Sequence, residues 1–198
     1  IQSLLGIKAD GIYGPNTAKA ILDKLRHKTK TEDVPAEQVA GFPEIYKASP
    51  NISYSTIQPE GVILHHSYGS YNGGVSWILN DSSNVSYHVL INTDGHRTVF
   101  AKDTQRAWHA GRSSFKGRSG CNGFMIGLAF TGDTNERELT QSEIDSAVEF
   151  LLPRFKRWGW PKDLSTVTTH REVSPGRKND VDTRAEKAIL KALKEALS

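Results

Sequence analysis

Five short apolar runs constrain this chain more than any other feature. Val62–His65, Tyr87–Ile91, Thr98–Phe100, Ile126–Phe130 and Val167–His170 are rich in β-branched or aromatic residues, and each has the length of a single strand. Asp94-Gly95, between Ile91 and Thr98, is a hairpin signal, so those two strands are expected to run antiparallel. Helical signals come later in the chain. Thr140-Gln141-Ser142-Glu143 is a capping box opening a helix with Ile144, Val148, Leu151, Leu152 and Phe155 inward. A second box, Thr183-Arg184-Ala185-Glu186, opens a closing helix striped by Ile189, Ala192, Leu193, Ala196 and Leu197. Strands mixed with helices give an α/β class, a mixed β-sheet flanked by α-helices.

The 198 residues leave room for one full-sized domain and a short appendage. Residues 1–26 hold two short helical patterns around Asp10-Gly11-Ile12-Tyr13-Gly14-Pro15, with Ala18, Ile21 and Leu22 as the apolar stripe after Pro15. Residues 27–40 are polar, alternate in charge and contain Pro35, and read as a linker. Residues 41–198 carry the larger domain.

Several classes drop out on composition. No apolar run approaches the roughly 20 residues of a membrane-spanning helix, so no membrane insertion is expected. Lys and Arg total 25 against 22 Asp and Glu, and this net charge of +3 is too small and dispersed to point to nucleic acid. No signal peptide is visible, although the first residue is Ile1 and a processed start would hide one. Cys121 stands alone, cannot form an internal disulfide, and reads as a small packing residue.

The chemistry points to two histidines. His65 and His170 sit at the ends of expected strands and are followed by turn-rich sequence, where α/β folds place their sites. After His170, Pro175-Gly176 forces a turn that can bring Lys178 and Asp180 back beside it. Two imidazoles and a carboxylate match an open zinc site, and a mixed N and O set disfavours Ca²⁺ and Mg²⁺. The His-x₉-Asp spacing is not a tight motif, so ordinary surface or core histidines fit the spacing as well.

Five ordered blocks carry a resemblance. They are Val62-Ile63-Leu64-His65-His66-Ser67; Val85-Ser86-Tyr87-His88-Val89-Leu90-Ile91 with Asp94-Gly95; Arg106-Ala107-Trp108-His109-Ala110-Gly111; Cys121-Asn122 leading to Ile126-Gly127-Leu128; and His170 through Asp180. Over about Gly61 to Leu197 the chain resembles the zinc N-acetylmuramoyl-L-alanine amidases, which include phage endolysins, bacterial muropeptide amidases and peptidoglycan-recognition proteins. Residues 1–26 resemble the turn of the helical peptidoglycan-binding module found beside such enzymes, in a form shorter than that module. A small helical cap on the main domain is the competing reading of this segment.

The resemblance implies one Zn²⁺ per chain held by His65, His170 and Asp180. His66 is the rival for the first ligand, but adjacent strand residues face opposite ways and the pattern favours His65. Asp182 is the rival carboxylate, better read as the start of the last helix. Lys178 would hold the developing oxyanion. Many relatives carry a glutamate in the fourth strand where this chain has Ala129; others carry a tyrosine in the second block, where this chain has Tyr87. Tyr87 would orient the attacking water or hydrogen-bond the intermediate. His109 would line the substrate groove. Trp108 reads as core rather than as a sugar-stacking surface, and Trp77, Trp158 and Trp160 read as packing residues. His88 and His96 need no functional account.

The implied reaction is hydrolysis of the amide joining N-acetylmuramic acid to L-alanine, with peptidoglycan or muropeptide as substrate. A monomeric phage endolysin is the expected setting, resident in the host cytoplasm until release and acting at the cell wall and periplasm. Two alternatives stand beside it: a wall-binding protein on the same fold, disabled at Ala129, and a zinc hydrolase acting on another amide.

Overall fold

The computed structural model describes residues 41–198; the expectations for 1–26 and 27–40 lie outside the described residues. Its centre is a six-stranded sheet in the order β1-β5-β4-β9-β3-β10. The strands are β1 (Glu44–Tyr46), β3 (Val62–Ser67), β4 (Val89–Ile91), β5 (Arg97–Val99), β9 (Ile126–Thr131) and β10 (Val167–Thr169). β4, β9, β3 and β10 run parallel, and the Asp94-Gly95 turn reverses the chain so that β5 pairs antiparallel with β4. The sheet is therefore mixed, and all five strands expected from the sequence lie in it. The short strands β2 (Ile52–Thr56), β6 (Gln105–Ala107), β7 (Ser114–Phe115) and β8 (Arg118–Ser119) pair in twos outside it.

β9 is buried along its length and β3 up to Ser67, as continuous apolar runs covered on both faces must be. Alternation divides their residues between the two faces of the sheet. Val62, Leu64, Ile126, Leu128 and Phe130 face α2 (Gln141–Trp158) and α4 (Thr183–Ala196). Ile63 faces a second cluster with Cys121, Phe124 and Met125, and Ala129 a third with Val75 and Ile78 of α1 (Tyr71–Leu79). α1 approaches the sheet closely at Gly74, where a Cβ would stand 2.9 Å from Ser67 Oγ and 3.0 Å from Leu90 Cδ2. Cys121 is buried and packs in the second cluster, as expected.

The Thr140 capping box forms as expected, and Arg137 pairs with the buried Glu143 at its centre. The stripe of α2 is Ala147, Phe150, Leu151 and Phe155, with Ile144 and Val148 partly buried against it and Leu152 off the stripe. The expected box at Thr183 does not form. Asp182 is the N-cap instead, its carboxylate accepting the Arg184 N–H at 2.8 Å, so Thr183 becomes the first helical residue. The buried residues of α4 are Ala185, Ile189 and Leu193, and Ala196 is exposed. No helix among the described residues is long and apolar enough to cross a membrane.

Candidate functional site

The site lies at the carboxyl ends of parallel strands, where open α/β sheets hold their ligands. β3 delivers His65. β10 ends at Thr169, which caps the short helix α3 (His170–Val173), so His170 is a helix-opening residue rather than a strand end. The Pro175-Gly176 turn then returns the chain, with Gly176 at φ +73° and the Arg171 N–H donating to the Asp180 carbonyl at 2.6 Å. That return sets Asp180 beside His170, as the turn chemistry of the sequence implied.

His65, His170 and Asp180 are all buried, and each offers one ligand atom to a common point. His65 Nδ1 lies 3.0 Å from His170 Nδ1 and 3.3 Å from Asp180 Oδ2, and His170 Nδ1 lies 3.1 Å from that same oxygen. Donors 2.0–2.1 Å from a tetrahedral zinc would stand about 3.3 Å apart.

The hydrogen-bond partners assign the tautomers. His109 Nε2 lies 3.1 Å from the Met125 carbonyl, which can only accept, so the His109 proton sits there. Its bare Nδ1 accepts from His65 Nε2 at 3.0 Å, which leaves His65 Nδ1 without a proton. His170 Nε2 faces the Ala110 carbonyl at 3.2 Å and also lies 3.4 Å from an Arg177 nitrogen. That nitrogen already donates to Ala110 O at 2.6 Å and Ser174 Oγ at 2.7 Å, so His170 Nε2 donates to Ala110 and its Nδ1 is directed at Asp180 Oδ2. Burial pushes the His65 imidazole down to about 4 and the His109 imidazole well below its ordinary value, so both rings are neutral at pH 7. Nδ1 of His65, Nδ1 of His170 and Oδ2 of Asp180 thus converge. Such a buried set fits a divalent cation, and its imidazole–carboxylate composition fits zinc.

His66 points away. Its Nδ1 accepts the Thr134 N–H at 3.2 Å and lies 3.0 Å from the Thr134 hydroxyl, on the opposite face of β3. Asp182 is occupied as a helix cap. Tyr87 and Lys178 line the same groove of about 370 Å³ as His109, His170 and Asp180. The Tyr87 ring centroid is 5.2 Å from that of His65, and burial pushes the phenol up, so it is neutral and able to donate. Its hydroxyl lies 3.5 Å from the His66 carbonyl, the outer limit of a hydrogen bond. Ala129 is the register partner of His65 on β9 and shares its face. Its side chain is buried with Leu90 and Phe100.

Two aromatic expectations need correction. Trp108 is 38% exposed and Trp77 56% exposed, and both line the groove rather than the core. Trp108 has the Arg106 guanidinium over its ring at 4.6 Å, and Trp77 lies on the open side of α1. Trp160 is buried and Trp158 partly so, as expected of packing residues. His88 is structural: its Nδ1 accepts the Gly127 N–H at 3.0 Å and its Nε2 donates to Gln105 O at 2.9 Å. Sequence reasoning missed Gly127. A Cβ there would stand 2.5 Å from Cγ of His109, so only glycine lets that ring lie on β9. It also missed the bond-making of Asn122, whose Oδ1 accepts the N–H groups of His109 and Ala110 at 3.1 and 2.8 Å.

The N-acetylmuramoyl-L-alanine amidase family model (Amidase_2) matches residues 55–182. The 1,6-anhydro-N-acetylmuramyl-L-alanine amidase AmpD of Haemophilus influenzae is 38% identical over 97 residues, covering 48% of this chain and 51% of that protein. The chain thus spans about half the length of the curated relatives it matches. Among solved structures, a selenomethionine derivative of AmpD aligns with a TM-score of 0.61 at 23% identity, over 79% of this chain and 96% of that one. The amidase AmiD from E. coli, in complex with anhydro-N-acetylmuramic acid-L-Ala-D-gamma-Glu-L-Lys, aligns at 0.55 with 16% identity, over 75% and 57%. These structural likenesses establish the mixed α/β fold.

Proposed function

The chain belongs to the N-acetylmuramoyl-L-alanine amidase family, and from that premise we propose that it hydrolyses the amide between N-acetylmuramic acid and the L-alanine of the stem peptide. The observation that carries this reading is the convergence of three ligand atoms, from His65, His170 and Asp180, in a groove that also presents Tyr87 and Lys178. His65, His170 and Asp180 would hold one zinc ion, which when bound supplies a Lewis acid and activates water near neutral pH.

The remaining work falls to the chain's own side chains. The Lys178 ammonium faces the groove and compensates the negative charge that grows on the amide oxygen during attack. Tyr87, a neutral phenol whose one hydrogen-bond partner among the described residues is distant, donates a hydrogen bond to the intermediate. His109 contributes ring edge to the groove wall. Trp77 and Trp108 supply exposed aromatic surface for the apolar face of a sugar ring. The leaving amine takes up a proton, and the products are a free stem peptide and a lactyl carboxylate on the sugar. The anhydromuramyl peptide held by AmiD is a substrate of this class. All named groups lie in one chain, which supports action as a monomer. The wall-module likeness of residues 1–26 supports a phage lytic enzyme, held in the host cytoplasm and acting on the wall after release.

Ala129 favours one second reading, a disabled amidase that only binds peptidoglycan. Amine release from peptidoglycan by the zinc-loaded protein, beside an Ala129→Glu variant, separates the two. Release by the protein as it stands supports the amidase. Wall and zinc binding without release, regained in the glutamate variant, supports the binder.

A further inference from the structure

We propose that His109 is a positioning residue for the metal centre: it holds His65 in the tautomer whose bare Nδ1 faces His170 and Asp180. This rests on the zinc reading of those three residues. His109 lines the groove, but it is only 7% exposed and neither ring nitrogen is free for a substrate. Nε2 donates to the Met125 carbonyl and Nδ1 accepts from His65 Nε2. The polarity of this relay is set at its far end by a backbone carbonyl, which cannot donate. Were His109 unable to accept, the His65 proton would be free to move to Nδ1, where it would occupy the lone pair a cation needs.

The surrounding structure fixes the His109 ring as such a role requires. Gly127 leaves the space in which the ring lies, since a Cβ would stand 2.5 to 2.9 Å from three of its atoms. Asn122 Oδ1 holds the His109 backbone N–H at 3.1 Å. The ring packs nearly perpendicular to His65, at 85° with centroids 5.1 Å apart, which aims Nδ1 edge-on at its partner. A ligand imidazole whose second nitrogen is engaged in this way gains in orientation, and loss of the partner costs about 10–100-fold in metal affinity.

Two measurements test the proposal. The first is the ¹⁵N-edited imidazole spectrum of the full-length, metal-free protein at pH 8, which reads the tautomer of each histidine. The expected result is a proton on Nε2 of His65; a proton on Nδ1 overturns the proposal, whatever the behaviour of any variant. The second is zinc affinity, by competition with a chromophoric chelator, for the wild type, His109→Phe and His109→Asn. Phenylalanine keeps the ring but cannot accept; asparagine places an oxygen near the Nδ1 position. The expected result is a 10–100-fold weaker zinc site in His109→Phe, largely restored in His109→Asn. Equal affinity of the two variants overturns the inference and leaves the zinc reading standing. A wild type that binds no zinc overturns both.

Discussion

Gly127 and His109 occupy a contact that no side chain at position 127 would allow. The ideal Cβ of an alanine there would sit 2.5 Å from Cγ and 2.8 Å from Nδ1 of the imidazole, against the main chain of a central strand. Either the ring or the strand must give. We expect Gly127→Ala to lower stability by about 1–3 kcal/mol and to weaken zinc binding with it. Urea unfolding and chelator competition check this, and a variant matching the wild type in both contradicts it.

Lys178 stands in the groove beside Asp180, and no carboxylate among the described residues lies within ion-pairing distance of it. Its charge is therefore available to the reaction. Lys178→Ala should lower kcat by about 10²–10³-fold, the cost of losing one oxyanion-stabilising group. Zinc content, measured on the same preparation, should stay at one ion per chain. Unchanged turnover would remove Lys178 from the mechanism.

The four tryptophans separate into two kinds, and the structure sorts them differently from their apparent bulk. Trp160 is buried, donates to the Pro59 carbonyl at 3.0 Å and stacks edge-on to Phe155. Trp77 and Trp108 stand at the groove. Trp160→Ala should cost about 3–5 kcal/mol of stability. Trp77→Ala should leave the melting temperature nearly unchanged and raise KM for muropeptide. Thermal unfolding and steady-state kinetics of the two variants check the division.

His88 predicts a pH dependence of folding that is independent of the metal. Burial pushes its imidazole down to about 4, from an unfolded value of 6.5. Its Nδ1 must stay bare to accept the Gly127 N–H. The unfolded chain thus binds the proton first as pH falls, so stability is complete above about pH 6.5 and is lost between 6.5 and 4. A shift of this size corresponds to about 3 kcal/mol. Urea unfolding of metal-free protein should show this slope, to which the buried His65 and His109 also contribute, and His88→Gln should reduce it by the His88 share. Equal slopes would contradict the assignment.

Much of this arrangement was legible in the sequence, and the rest was hidden for identifiable reasons. Runs such as Ile126–Phe130 announce central strands because burial on both faces demands continuous apolar residues. Asp94-Gly95 announces its hairpin and Thr140 its helix because both signals are local. The turn at Pro175-Gly176 made the meeting of His170 and Asp180 legible, while the choice of His65 over His66 needed strand alternation together with the family pattern. The paired short strands β2 and β6 carried no signal, since Ser53 and Thr56 pair with residues some fifty positions away. Thr183 lost its cap to Asp182 because an aspartate one residue earlier reaches the free N–H groups equally well. Trp77 and Trp108 were misplaced because bulk says nothing of which side of an element faces solvent. The His65–His109 relay ends on the Met125 carbonyl, a group every residue carries and no sequence marks.

The proposed hydrolysis at muramoyl-L-alanine rests on the three converging ligand atoms of His65, His170 and Asp180. Mass analysis of products from a defined anhydromuramyl peptide, with the protein zinc-loaded and again after chelation, tests it most directly. The expected products are a free peptide with a new N-terminal L-alanine and a sugar bearing the lactyl carboxylate, both lost on chelation and regained with zinc. Intact substrate after incubation with protein that carries its zinc would contradict it.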